Sequence, residues 1–307
     1  MAFSELIAIY LFLGGTAAGA FALMSIADLG TALACAYDRR RYGIPAFPVP
    51  TPQAAARQHL SKLVYSASFA MLIAGMLCLL ADLGRPEAFY LLFITPSGSL
   101  MSLGSFALVL LAVCMMVVLA WEALTLGFGW RKAALAAKAI GIVFAFIVMV
   151  YTGLLLQTAI AVPLWRSGWL WALFLLSSLS CGCAVIMLCT CACEGYRHIH
   201  RVRRRTIGAD TAFIVLEAAV TAAFVFTVGA DAAVHPLRAL AAGGFAALFW
   251  LGFIGCGILV PLASEIALLA GSRSPSGTAA AILAAFVLVG GLCLRLVMVG
   301  AGVAPVV

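Results

Sequence analysis

Six polar side chains stand out in a chain that is 65% hydrophobic and only 9% charged. Asp82, Asp231 and His235 fall at the ends of apolar segments, while Tyr151, Thr158 and Arg295 lie within apolar segments. An ionisable group at mid-bilayer costs about 2.5–3.5 kcal/mol on insertion scales, so groups kept there tend to be paired or functional. A phenol, an arginine, carboxylates and a histidine at similar depth suit a hydroquinone. Each ring oxygen needs a hydrogen-bond partner, and each of the two departing protons needs a base. Tyr151 would donate to a ring oxygen, with Thr158 seven residues on along the same helix face. Asp82, Asp231 or His235 would be the base, and Arg295 would hold the charge of a carboxylate. The same residues also read as structural pairs, Asp82–Arg85 and Asp231–Arg295, with Tyr151 in an interhelical hydrogen bond.

A second layer of charge contains Asp28, Glu122, Glu217 and Glu265. These carboxylates would relay protons toward the first layer. Alternatively they pair with Arg39–Arg41, Arg131 and Arg203–Arg205, or with internal water, since most lie within two or three turns of a boundary.

The elements that position these residues follow from hydropathy. The mean hydropathy is +1.18 over 307 residues, more apolar surface than a soluble core absorbs. Roughly 20 apolar residues cross the ~30 Å hydrocarbon core as a helix. Eight segments meet that length: 6–35, 61–83, 101–126, 134–160, 168–193, 209–231, 240–270 and 278–302. Short alternating strands of a barrel are not seen. The expectation is an all-α integral membrane protein forming one transmembrane domain, 1–307, of two four-helix bundles. Its first segment is expected to be a mature helix rather than a signal peptide, because Glu5 stands where a signal carries basic residues.

The net charge of +7 is distributed by loop. Arg39, Arg40, Arg41, Arg57 and Lys62 fall in 37–62, Arg131, Lys132 and Lys138 in the next alternate loop, Arg197, Arg201 and Arg203–Arg205 in the third, and Arg273 in the fourth. Those are fourteen of eighteen basic residues; Arg85, Arg166 and Arg238 occupy the opposite loops. Such alternation follows the positive-inside rule and places both termini outside. No aromatic readers are interleaved with the arginines, which argues against nucleic acid.

Other chemistries are excluded by what the motifs lack. His59, His198, His200 and His235 all fall in loops or at helix edges, so no facing pair exists to ligate a membrane haem. HExxH, Walker and Rossmann patterns are absent. Of ten cysteines, Cys181, Cys183, Cys189, Cys191 and Cys193 cluster at one helix end. Spacings of two put neighbours on different helix faces, so these are expected to pack rather than hold an iron–sulfur cluster. The connections 36–60, 84–100 and 194–208 are too short for a soluble domain. Chemistry outside the membrane would then fall to a partner protein.

The compact charge knot Asp82-Leu83-Gly84-Arg85-Pro86-Glu87, followed by Ala88-Phe89-Tyr90, points further. Together with Tyr10-Leu11-Phe12-Leu13-Gly14-Gly15 through Gly19-Ala20-Phe21, Tyr151-Thr152-Gly153-Leu154-Leu155-Leu156 with Pro163-Leu164-Trp165, and Gly290-Gly291-Leu292-Cys293-Leu294-Arg295, it resembles the NrfD / polysulfide-reductase membrane-subunit family. The resemblance implies an eight-helix, haem-free, quinone-binding subunit, with menaquinone the expected quinone, in a bacterial or archaeal cytoplasmic membrane. It implies docking to an extracytoplasmic four-cluster iron–sulfur protein, often joined to a molybdopterin catalytic subunit or a cytochrome c. Tyr151 matches a helix-4 tyrosine of the family's quinone site, and Arg85 with Glu87 would meet the partner. The family's polar positions early in helix 1 are represented here only by Ser4, Glu5, Tyr10 and Thr16. The competing expectations are a secondary transporter using the second carboxylate layer, with Pro261 as its helix break, and a purely structural anchor.

Overall fold

A computed structural model describes residues 5–42, 52–82, 100–124, 128–158, 163–196, 199–230, 244–271 and 275–303. In a bilayer every backbone polar group must be satisfied within its own segment, which leaves the helix as the form for apolar runs of this kind. The described residues accordingly form helices α1 (Glu5–Tyr42), α2 (Pro52–Asp82), α3 (Leu100–Leu124), α4 (Phe128–Gln157), α5 (Leu170–Cys191) and α6 (Ile199–Ala230). Leu248–Ala270 forms α7 and Gly277–Val303 forms α8. All eight contain a stretch long and apolar enough to cross a membrane. The protein is a multi-pass membrane protein.

The helices differ from the hydropathy segments chiefly at the basic ends. α1 has 38 residues, about 57 Å at 1.5 Å per residue, so it runs well past the hydrocarbon core into its arginine-bearing end. α2 begins at Pro52, which puts Arg57 and Lys62 on a helix rather than in a loop. Lys138 is likewise ten residues inside α4 and buried. These three belong to the helical bundle, because a long stem lets a cationic head reach a buried carboxylate or the boundary from within a helix.

α7 is not a uniform helix. Leu248–Leu259 is wound as a π-helix and Val260–Ala270 as an α-helix. The Val260 amide bonds to the Gly255 carbonyl five residues back. Pro261 follows directly; it lacks an N–H, and its ring would clash with the carbonyl four residues earlier in an α-helix. A wider turn just before the proline relieves that clash.

α1 packs against α2, α4, α5 and α8, and α5 against α4, α6 and α8 as well. The outer contacts run α2 to α3, α3 to α4, α6 to α7 and α7 to α8. α1 and α5 are thus central, and their apolar stretches are the most enclosed of the eight. Gly19 of α1 and Gly182 of α5 make this approach possible, since a Cβ on Gly19 would meet the Ser178 backbone and one on Gly182 the Gly19 backbone. Small residues let helix backbones touch where apolar lipid gives no hydrophobic drive for association. A short 3₁₀ turn, Pro163–Arg166, lies over the end of α8, where the Trp165 indole Nε1 donates to the Met298 carbonyl at 2.8 Å.

Candidate functional site

Three groups of polar side chains occupy the interior. The first lies toward the bundle end marked by the start of α1 and the ends of α2, α4 and α8. Tyr10 is five residues from the start of α1, and Tyr151 six from the end of α4, about 9 Å of helix. Their hydroxyls are hydrogen-bonded at 2.6 Å, and both rings are buried. Gly104 of α3 lies flat against the Tyr151 ring, in the space its own Cβ would take.

Arg295 of α8 is fully buried at this end of the molecule. Its Nη1 donates to the Ser177 hydroxyl and the Gly291 carbonyl, both at 2.8 Å, and its Nη2 to the Ser178 hydroxyl at 2.9 Å. The guanidinium also stands over the rings of Phe12 and Phe174, 5.8 and 5.4 Å from their centroids, a cation–π arrangement that suits a desolvated cation. Glu217 of α6 interacts with Ser177 and with the Arg295 charge. Arg295 Nε is buried without a hydrogen-bond partner among the described residues, and the Thr16 hydroxyl interacts with the Cys181 thiol.

The second group lies seven residues down α6. Asp210 accepts a hydrogen bond from Ser180 at 2.6 Å, and its carboxyl group interacts with that of Glu265 on α7. Glu265 in turn accepts from Thr211 at 2.8 Å. One oxygen on each carboxyl, Asp210 Oδ2 and Glu265 Oε1, has no donor among the described residues. Both are buried acceptors, and a buried acceptor needs a donor.

The third group gathers at the opposite end. Lys138 bridges Asp28 at 2.7 Å and Glu122 at 3.2 Å. Asp28 also accepts from Arg57 at 3.1 Å and from the Tyr65 hydroxyl at 2.8 Å. The sequence suggests the loop arginines as partners of these carboxylates; helical Lys138 and Arg57 take that place. Arg203 pairs instead with Glu194 at 3.3 Å and donates to Thr190 and the Pro275 carbonyl.

Of the other sequence candidates, Asp82 is the last residue of α2 and half-buried. Thr158 follows α4, is exposed, and donates to the Leu155 carbonyl at 2.6 Å; the structure brings Tyr151 to Tyr10 rather than to Thr158. Arg85, Glu87, Asp231 and His235 lie outside the described residues. Asp210 and Lys138 hold positions that sequence reasoning does not find. The one signal for Asp210 is its spacing of seven from Glu217, which puts both on one helix face.

Eight membrane-length helices that enclose ionisable groups at both ends, with a carboxyl pair between them, define the class: a multi-pass membrane protein with a charged interior. The sequence matches the family described as polysulphide reductase, NrfD, over residues 1–306. It is 31% identical over 255 residues to the C subunit of polysulfide reductase from Wolinella succinogenes, covering 75% of this protein and 77% of that one. The protein belongs to the NrfD family.

Proposed function

We propose that this protein is the haem-free, quinone-binding membrane subunit of a respiratory oxidoreductase, exchanging electrons between the quinone pool and an iron–sulfur partner. The observation that carries the reading is the buried Tyr10–Tyr151 hydroxyl pair. Burying two phenols needs a partner for each hydroxyl, and a quinone oxygen replaces one of them without loss. Unpartnered Arg295 Nε nearby in the fold adds donor capacity for a polar head group. The quinol, when bound, supplies two electrons and two protons.

Tyr151 donates to a ring oxygen and Tyr10 orients it. Asp82, at the end of α2, takes a proton at its carboxylate, with Asp231 and His235 as further bases beyond α6. Arg295, held by two serines and two rings, fixes positive charge beneath the site and favours negative charge above it. Arg85 and Glu87, next to Asp82 in sequence, meet the iron–sulfur partner. Glu217 and the Asp210–Glu265 pair continue from Arg295 across the second half of the molecule, and Asp28 and Glu122 lie at the far end of the first. This column supports a proton path. The helix contacts support two four-helix bundles, α1–α4 and α5–α8, and the loop charges support an orientation with both termini outside.

The Wolinella relative is by name one component of a reductase, which supports an assembly here with a four-cluster iron–sulfur subunit and a molybdopterin or cytochrome c subunit. Purification from its native membrane in mild detergent tests the assignment. An iron–sulfur protein and menaquinone are expected to co-purify in stoichiometric amounts. A protein that emerges alone and quinone-free contradicts it.

A further inference from the structure

A cavity of about 530 Å³ opens between α1, α2 and α6, with Cys183 and Ile186 of α5 as its floor. It lies at the arginine-bearing end, away from Tyr10 and Tyr151. Three guanidinium side chains line it: Arg57, Arg201 and Arg205. Most of the remaining wall is aliphatic, including Leu23, Met24 and Leu60. The large apolar residues at its edge, Ile26 and Val202, are 46% and 37% exposed, so the rim is continuous with a lipid-facing surface.

The charges in this cavity are incompletely answered. Arg57 directs Nε and Nη2 to Asp28 and the Ala27 carbonyl, and Nη1 makes no hydrogen bond with a described residue. Arg201 and Arg205 form no ion pair among the described residues. They are four apart in the first turns of α6, a helix whose first turn has no acidic residue. Like charges at that spacing repel, and cations at a helix N-terminus oppose its dipole. An anion between them relieves both conflicts.

We infer that this cavity is a binding site for one anionic glycerophospholipid, its phosphate diester held by Arg201, Arg205 and Nη1 of Arg57, and its acyl chains against Leu23, Met24 and Leu60. The chemistry fits on three counts. A phosphate accepts the forked donors of several arginines, basic recesses between transmembrane helices suit such head groups, and the aliphatic wall matches acyl tails rather than a free ion. A neutral quinone head group leaves Arg201 and Arg205 without a counter-charge, while Arg57 keeps Asp28.

The test uses the assembled complex, exchanged into phosphatidylcholine and then titrated with phosphatidylglycerol, with bound lipid read by native mass spectrometry. Wild type is expected to retain one phosphatidylglycerol per copy of this subunit. The double variant Arg201→Gln/Arg205→Gln is expected to bind it roughly thirtyfold more weakly, about fivefold for each guanidinium near an anionic surface. Arg201→Lys/Arg205→Lys should recover most of the affinity, and Lys132→Gln, which does not line the cavity, should match wild type. Thermal unfolding in phosphatidylcholine alone identifies a variant that fails to fold, in which case the single variant Arg201→Gln is read with an expected loss of about fivefold. Equal phosphatidylglycerol binding by wild type and the glutamine variants overturns the inference. Displacement of the lipid by millimolar inorganic phosphate, or by a short-chain menaquinone analogue, also overturns it.

Discussion

The phenolic oxygens of Tyr10 and Tyr151 are 2.6 Å apart across 141 residues of sequence. That bond ties the start of α1 to the end of α4 at the level proposed for the quinone. Tyr10→Phe removes one partner and leaves the Tyr151 hydroxyl buried, a cost of about 1–3 kcal/mol. The expected result is a lowered thermal midpoint in detergent that a bound quinone largely restores, because its oxygen replaces the lost acceptor. An equal deficit with and without quinone would separate the pair from the quinone site.

Lys138 answers two carboxylates at once, buried Glu122 and partly exposed Asp28. Lys138→Met leaves Glu122 charged and without its partner, and breaking a buried pair in this way costs about 3–5 kcal/mol. Adding Glu122→Gln removes the stranded charge, and Asp28 keeps Arg57. The double variant should therefore unfold later than Lys138→Met alone. Identical unfolding of the two would show that the lysine and Glu122 are not coupled.

Gly182 lets α5 touch α1 at Gly19. Gly182→Val places three carbons against backbone that cannot turn aside, and overpacking of this kind costs about 1–3 kcal/mol even where side chains can adjust. Little correctly assembled protein is expected by size-exclusion chromatography. Gly195→Val, in a turn with open space around it, is the control and should assemble normally.

Asp210→Asn supplies an amide donor beside Glu265, whose Oε1 has none among the described residues. It can keep its acceptor for Ser180, so the thermal midpoint should stay close to wild type. Asp210→Leu strands Ser180 and should unfold earlier. Proton uptake coupled to turnover in proteoliposomes should fall in Asp210→Asn despite its stability, if the pair belongs to the proposed path.

Most of the architecture was legible because the bilayer enforces it: an apolar run of sufficient length has no alternative to a helix. The ends were less legible. Arg57 and Lys138 resemble loop charges in sequence, yet their stems carry them back to Asp28 from within α2 and α4. The π-wound part of α7 had one visible cause, Pro261, but the turn it disturbs lies before it. Tyr151 and Arg295 were identifiable as polar groups in apolar helices. Tyr10 was legible only as a polar position early in helix 1, and Ser177 and Ser178 not at all, because hydroxyl residues are common in membrane helices and only the packing of α1 against α4, α5 and α8 brings these partners together.

In the proposed mechanism, quinol is handled at the Tyr10–Tyr151 end of the molecule, with Asp82 as base. Quinol-driven reduction of the partner's clusters in the assembled complex tests it most directly, with wild type compared against Tyr151→Phe and Asp82→Asn. Tyr151→Phe should raise KM for quinol about tenfold, the equivalent of one hydrogen bond. Asp82→Asn should lower kcat by about a hundredfold or more, as loss of a positioned base does. In both, cluster reduction by dithionite should stay unchanged. Wild-type quinol kinetics in both variants would place quinol oxidation away from Tyr151 and Asp82.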